Sequence, residues 1–339
     1  MSKPAWRRSL AAAQVAASLA LLLYLLAQID LAQLQAAQAR LSLSFLGLAV
    51  ALQLAGVFVS ALKWWLLLRA LNQPLAYIWT VRVYQIGQFF NNFLPTMIGG
   101  DAVRVLLVRR RGGHVAAAIA SVWVERLTGF VALTLIGWSG LGLSWQLLAG
   151  APPVRLGVLF SLLVASLAVG VALGAPVGAR VLARLGLPNI LDWRSRLQRT
   201  AATISGYRTR RTTVAVVTAL AFAYQLSWVA VHVVAARALG LEVPHQLLLL
   251  MVPVSDIVGL VPIFFNNLGA REGTFMVFLS QLGAPIASAV ALAFLIFLVR
   301  LLVGCLGGVL YLLDRLRGTR FDLATDAREA PAGGARAAE

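Results

Sequence analysis

Acidic side chains are scarce in this chain of 339 residues: twelve Asp and Glu stand against twenty-nine Lys and Arg, a formal net charge of +17. Charged residues of both signs together make up only 12% of it. A single cysteine, Cys305, excludes an intrachain disulfide and any thiolate-built metal cluster. The three histidines, His114, His232 and His245, have neither ligand spacing nor neighbouring acids, and the chain has no DxD motif. No metal, no cofactor and no catalytic residue are therefore expected, and His232 reads as a helix-packing residue. Long polar stretches are missing too. The longest is 180–212, which leaves no room for a soluble domain of useful size.

Apolar residues fill the rest. They account for 60% of the chain, with a mean hydropathy of +0.85, far outside the range of a soluble globular domain. The sequence is that of an all-α integral membrane protein. Crossing about 30 Å of hydrocarbon takes roughly 20 apolar residues as a helix. Six stretches meet that length, near 9–29, 43–68, 115–143, 154–178, 213–239 and 285–313. The first follows Lys3, Arg7 and Arg8 as a signal peptide would, but its apolar run is long and later spans continue the pattern, so it is expected to be retained.

Charge orients the bundle. Positive residues gather at the N-terminus, in Arg109-Arg110-Arg111, in the 180–212 linker and in the tail with Arg315, Arg317 and Arg320, whereas the opposite loops carry few. Such segments stay on the cytoplasmic side, which predicts both termini inside. The excess of arginine, twenty-seven against two lysines, fits a GC-rich bacterial genome and hence a bacterial inner membrane. Because the arginines flank spans instead of forming a soluble basic face, their expected counter-charge is anionic lipid and not nucleic acid.

Two hydrophobic regions are interrupted, and both contain the tetrapeptide FFNN, at Phe89 to Asn92 and Phe264 to Asn267. The first, 83–108, is broken by Pro95, Gly99, Gly100 and Asp101; the second, 246–284, by Pro253, Asp256, Pro262, Gly269, Arg271 and Glu272. Each reads as a pair of half-helices dipping into the membrane. The order becomes span, span, broken hairpin, span, and then the same again. Three crossings per unit is odd, so the second unit is inserted upside down, the inverted-repeat arrangement of many transporters. The expected fold is six full transmembrane helices plus two broken or re-entrant helical hairpins arranged as an inverted repeat. Chance recurrence of a common tetrapeptide is the competing reading, since the halves otherwise align poorly. The expected divisions are 1–179 for the first repeat through span four, 180–212 for a basic cytoplasmic linker, 213–314 for the second membrane region and 315–339 for a disordered tail.

Ionised groups at membrane depth mark a functional site by default. Asp101, Glu125, Asp256 and Glu272 balance Arg104, Arg126, Arg271 and Arg300, and Arg300 sits near the centre of the sixth span, with Glu125, Asp256 or Glu272 as candidate partners. A cavity with balanced charge would hold an anionic or zwitterionic headgroup by exchanging internal pairs for ligand pairs. The alternative is that these pairs only lock helices together. Asn91, Asn92, Asn266 and Asn267 either cap the half-helices or contact the ligand, and Gly99, Gly100 and Gly269 would let backbone approach a headgroup. Two glycine ladders, Gly170, Gly174, Gly178 and Gly304, Gly308, fit close helix packing.

The segment NNFLPTMIGGDAVRVLLVRR, then Val124-Glu125-Arg126, then LVPIFFNNLGAREGTF, resembles the flippase-like membrane domain of lysylphosphatidylglycerol synthases and their stand-alone relatives, over about residues 8 to 315. Relatives usually place Pro-Gly-Gly before the second motif, where this chain has Phe265-Asn266-Asn267-Leu268, a departure that bears on headgroup preference. The resemblance implies movement of a phospholipid across the bilayer. In the full-length synthases a separate soluble domain performs aminoacyl transfer, and lysyl transfer is not expected of this chain alone. The sequence thus reads as a transporter of a lipid with a charged or glycosylated headgroup, its partners being membrane lipids and a cell-envelope synthase or glycosyltransferase. The alternative is a membrane-embedded enzyme or accessory subunit for phospholipid aminoacylation or polyprenol-linked sugar transfer.

Overall fold

The computed structural model describes residues 41–93, 99–184, 206–207, 209–261, 267 and 269–316, the side chains of 93 and 175–184 excepted. These residues form helices joined by turns, with no strand among them. In chain order the helices are α1 (Leu43–Ala70), α2 (Tyr77–Phe93), α3 (Gly99–Arg110), α4 (Val115–Ser144) and α5 (Pro152–Arg184), then α6 (Arg211–Ala238), α7 (His245–Val258), α8 (Ala270–Ser280) and α9 (Ile286–Leu316). Five are long and apolar enough to cross a membrane: α1, α4, the Pro152–Gly174 part of α5, α6 and α9. They coincide with five of the six expected spans. The stretch 9–29, residues 185–205 of the expected linker and the tail from 317 lie outside the described residues.

The two interrupted regions are indeed pairs of short helices. α2 and α3 occupy the first, α7 and α8 the second, and each pair packs together. α7 stops at Gly259, and α8 begins after Gly269, whose φ of 85° is open to glycine and costly for other residues. Pro253 falls inside α7.

α1 and α6 form the central pair and run antiparallel. At one end the Ser42 N–H donates to the Ala238 carbonyl at 2.9 Å; at the other the Tyr207 hydroxyl donates to the Leu67 carbonyl at 3.1 Å. Midway, Gly56 makes room for the Tyr224 ring, which would lie 3.3 Å from a Cβ at that position. The first hairpin is entered from the C-terminal end of α1 and the second from the C-terminal end of α6. Since these two ends are opposite, the hairpins enter the bundle from opposite ends.

Exchanging α1 with α6, α2 with α7, α3 with α8 and α4 with α9 leaves the pattern of packing unchanged. α9 lies on α2 as α4 lies on α7, and α1 touches α9 as α6 touches α4. The match reaches single atoms. A Cβ on Gly140 of α4 would meet the Leu249 carbonyl and Leu250 nitrogen of α7 at 2.6 Å, and one on Gly307 of α9 would meet the Gln85 carbonyl and Ile86 nitrogen of α2. Small residues permit such backbone approach where no hydrophobic force drives helices together. Gly304 and Gly308 pack likewise against Asn92 and Phe89, as their ladder predicts. Gly170 and Gly174 have nothing within 4 Å, which corrects the packing role expected for that ladder.

α5 lies on the outside against α4 and α7. Phe160, Leu163, Leu167 and Val171 on it are all exposed. A row of large apolar residues facing outward is stable in hydrocarbon, where the penalty that water would impose is absent.

Candidate functional site

Described residues on either side of the two hairpin tips line one cavity, of about 250 Å³. Asn91 and Asp101 come to it from the first tip and Leu260 and Asn267 from the second. α4 supplies Glu125 and Arg126 and α9 supplies Arg300, while Asp256 faces in from α7. Arg104 of α3 also lines it, so eight of the residues singled out by sequence converge: Asn91, Asp101, Arg104, Glu125, Arg126, Asp256, Asn267 and Arg300.

One wall is a closed network. Arg104 forms ion pairs with Glu125 and, at 3.3 Å, with Asp101. Arg126 reaches the other Asp101 oxygen at 2.6 Å through its terminal nitrogen and 2.9 Å through Nε. The Tyr84 hydroxyl donates to the second Glu125 oxygen at 2.9 Å. The Arg104 guanidinium lies 4.2 Å from the centre of the Trp64 ring and 4.4 Å from that of Tyr84, and the Trp64 indole N–H donates to Ser121 at 2.9 Å. Asp101, Arg104 and Glu125 are all buried. Charges taken from water at this depth persist only when neighbours supply several hydrogen bonds, and here those neighbours are present.

The opposite wall is open in charge. Asp256 accepts a hydrogen bond from the Trp228 indole at 3.1 Å, and no cation among the described residues lies within ion-pair distance of it. Arg300, about midway along α9, likewise pairs with none of Glu125, Asp256 or Glu272, the acids expected for it. Its backbone carbonyl instead accepts from the Asn92 amide at 3.2 Å.

Several expected site residues turn out to support the walls. Asn92 packs into the groove left by Gly304 and does not line the cavity. Asn91 does both jobs, lining the cavity while its carbonyl oxygen caps the start of α3 by accepting from the Gly100 N–H at 2.8 Å. Gly100 is buried against the Gly87 carbonyl and Asn91, so its missing side chain permits close approach between the half-helices. Gly99 opens α3 beside it. Glu272 caps its own helix, taking the Gly269 N–H at 2.6 Å. Arg271 is buried, with one terminal nitrogen unpartnered among the described residues, and it does not line the cavity. Asn267 takes a positive φ of 65° and closes against Gly259. Asn266 lies outside the described residues. His232 is the packing residue its setting implied: Nδ1 faces the Trp228 carbonyl at 2.8 Å and the ring stands edge-on to Trp228 and Phe275.

Sequence reading missed the contribution of the central pair. Gln53, Ser60 and Lys63 of α1 line the cavity, as do Tyr224, Gln225 and Trp228 of α6. Lys63 is only 3% exposed, and its ammonium sits 4.9 Å from the centre of the Tyr224 ring. The signal was available: Gln53, Ser60 and Lys63 are spaced by seven and three, one face of an otherwise apolar span.

This arrangement of two opposed hairpins around a charged cavity, with GGDAVR on one tip and GAREG on the other, can be set beside known families. The family described as Lysylphosphatidylglycerol synthase TM region matches residues 11–308. The chain belongs to this family. Searches of curated proteins and of solved structures gave no match. Family membership and five apolar spans make it a multi-pass membrane protein.

Proposed function

We propose that this member of the family flips a lipid with a charged headgroup across the bacterial inner membrane, passing the headgroup through the cavity between the hairpin tips. The observation that carries this reading is the cavity itself: ionised side chains from both halves line one space inside a bundle whose outer surface is apolar. Fixed charges there replace the water that a headgroup sheds on entering the bilayer, and the acyl chains remain outside against surfaces such as that of α5.

The fold suits this work as an inverted repeat. The exchange-invariant packing and the opposed hairpins support a two-fold relation between α1–α4 and α6–α9, with stretch 9–29 as a sixth span and counterpart of α5. Rocking one unit against the other about the α1–α6 pair would open the cavity to each face in turn, the alternating access of inverted-repeat transporters. In that topology both termini are cytoplasmic. Asp101, Arg104, Glu125 and Arg126 hold one wall in shape, and Asp256 and Arg300 meet the ligand. A cell-envelope synthase would supply the lipid.

Reconstitution into vesicles with headgroup-labelled fluorescent lipids tests the proposal. Movement of label between leaflets without covalent change of the lipid is expected. Chemical modification of the lipid, or leaflet exchange no faster than in protein-free vesicles, would remove the translocation reading.

A further inference from the structure

We infer that the cavity selects a headgroup of net negative charge, a phosphodiester anion held between Lys63 and Arg300; the inference rests on the proposal that the cavity receives a lipid headgroup. The lining carries four cationic side chains and three carboxylates, which leaves one formal positive charge in excess. Two of the carboxylates, Asp101 and Glu125, are already engaged by Arg104 and Arg126. The third, Asp256, accepts from the Trp228 indole.

Lys63 and Arg300 are then the cations with capacity to spare. Among the described residues neither lies within ion-pair distance of a carboxylate. Lys63 is buried about 10 Å inside the end of α1 at Ala70, counted at roughly 1.5 Å per residue. Lysines near span ends ordinarily snorkel outward. This one is turned inward over Tyr224, which lines the same cavity as Arg300. A buried ammonium and a central guanidinium that no carboxylate reaches at ion-pair distance are costly until an anion arrives.

Phosphate oxygens suit both groups, as a guanidinium presents a planar fork of donors and an ammonium a point charge. A zwitterionic headgroup brings its own ammonium, for which only Asp256 stands outside the network of Arg104 and Arg126, and it adds no net negative charge to offset the surplus cation of the lining. The volume of about 250 Å³ is below the roughly 300–1,000 Å³ of sites that enclose drug-sized ligands, so it suits a single small headgroup and not an oligosaccharide.

The test uses the full chain in maltoside micelles, with thermal unfolding followed during titration with short-chain phosphatidylglycerol, short-chain phosphatidylcholine and inorganic phosphate. Phosphatidylglycerol is expected to bind about tenfold or more tightly than phosphatidylcholine, as one charge-assisted contact predicts. Lys63→Gln should abolish that preference and Lys63→Arg should restore most of it. Should Lys63→Gln fail to fold, the wild-type preference and the Lys63→Arg titration still decide the matter. Inorganic phosphate that displaces phosphatidylglycerol supports the anion subsite and identifies phosphate as the recognised group; phosphate that binds as tightly as the lipid assigns the subsite to a free ion and overturns the lipid half. Equal affinity for the two lipids, or a preference unchanged in Lys63→Gln, overturns the inference. Vesicles that show no flipping would remove the translocation reading and leave these binding results standing, whereas flipping indifferent to lipid charge would do the reverse.

Discussion

Arg104 on α3 and Glu125 on α4 form a buried ion pair in which each member is held by further partners, Asp101 on the arginine side and the Tyr84 hydroxyl on the glutamate side. Removing one member deprives the other of its main counter-charge. Glu125→Gln and Arg104→Gln are each expected to lower stability by about 3–5 kcal/mol, the cost of leaving a buried charge uncompensated. Arg104→Gln with Glu125→Gln should cost clearly less than the sum of the single changes, because the one charge then short of a partner, Asp101, keeps Arg126. Chemical unfolding in micelles over this double-mutant cycle reads the difference, and additive effects would contradict the buried pair.

Packing between the halves gives a second expectation. Gly140 meets backbone of α7 and Gly307 the corresponding backbone of α2, so Gly140→Ala and Gly307→Ala should destabilise by similar amounts, about 1–3 kcal/mol for a forced overlap. Gly170→Ala, where nothing lies within 4 Å, should change stability by no more than about 0.5 kcal/mol. Unfolding midpoints of the three variants check this, and a large gap between the first two would argue against equivalent packing.

What sequence made legible follows from which signals are local. The limits of the five described spans and the two interruptions were readable mostly to within a few residues, because apolar length and Gly/Pro breaks are written along the chain. The convergence of Asp101, Arg104, Glu125, Arg126, Asp256 and Arg300 was readable as charge at membrane depth. Which charges pair was not. Arg300 is central in its helix yet faces no acid in ion-pair range among the described residues, since pairing depends on helix rotation and the distance between elements. Gly170 and Gly304 look alike in sequence, and only the neighbour that one has and the other lacks tells them apart. Lys63 was overlooked because a lysine seven residues from a span end ordinarily reaches for the interface.

Topology yields a third expectation. The 71–76 loop precedes the first hairpin and the 239–244 loop precedes the second, at opposite ends of the α1–α6 pair. In a Cys305→Ala background, Ala76→Cys and Glu242→Cys, both exposed, should react with a membrane-impermeant maleimide from opposite faces, Ala76→Cys from the cytoplasmic side. Labelling of both from one side would contradict the opposed hairpins.

Arg300 separates a binding role from a structural one. Its guanidinium makes no ion pair among the described residues, so Arg300→Gln removes a half-buried charge without breaking one. Stability should hold or rise slightly, in contrast to Arg104→Gln, which breaks a buried ion pair. Translocation should fall roughly tenfold or more, the loss of one charge-assisted contact of about 1.5–3 kcal/mol. Arg300→Lys keeps the charge but not the planar fork and should fall between the two. Unfolding midpoints and leaflet-exchange rates measured on the same preparations decide it. A variant that unfolds as readily as Arg104→Gln would make Arg300 a helix lock, because a residue with no ion pair to break among the described residues can lose stability only by holding helices together.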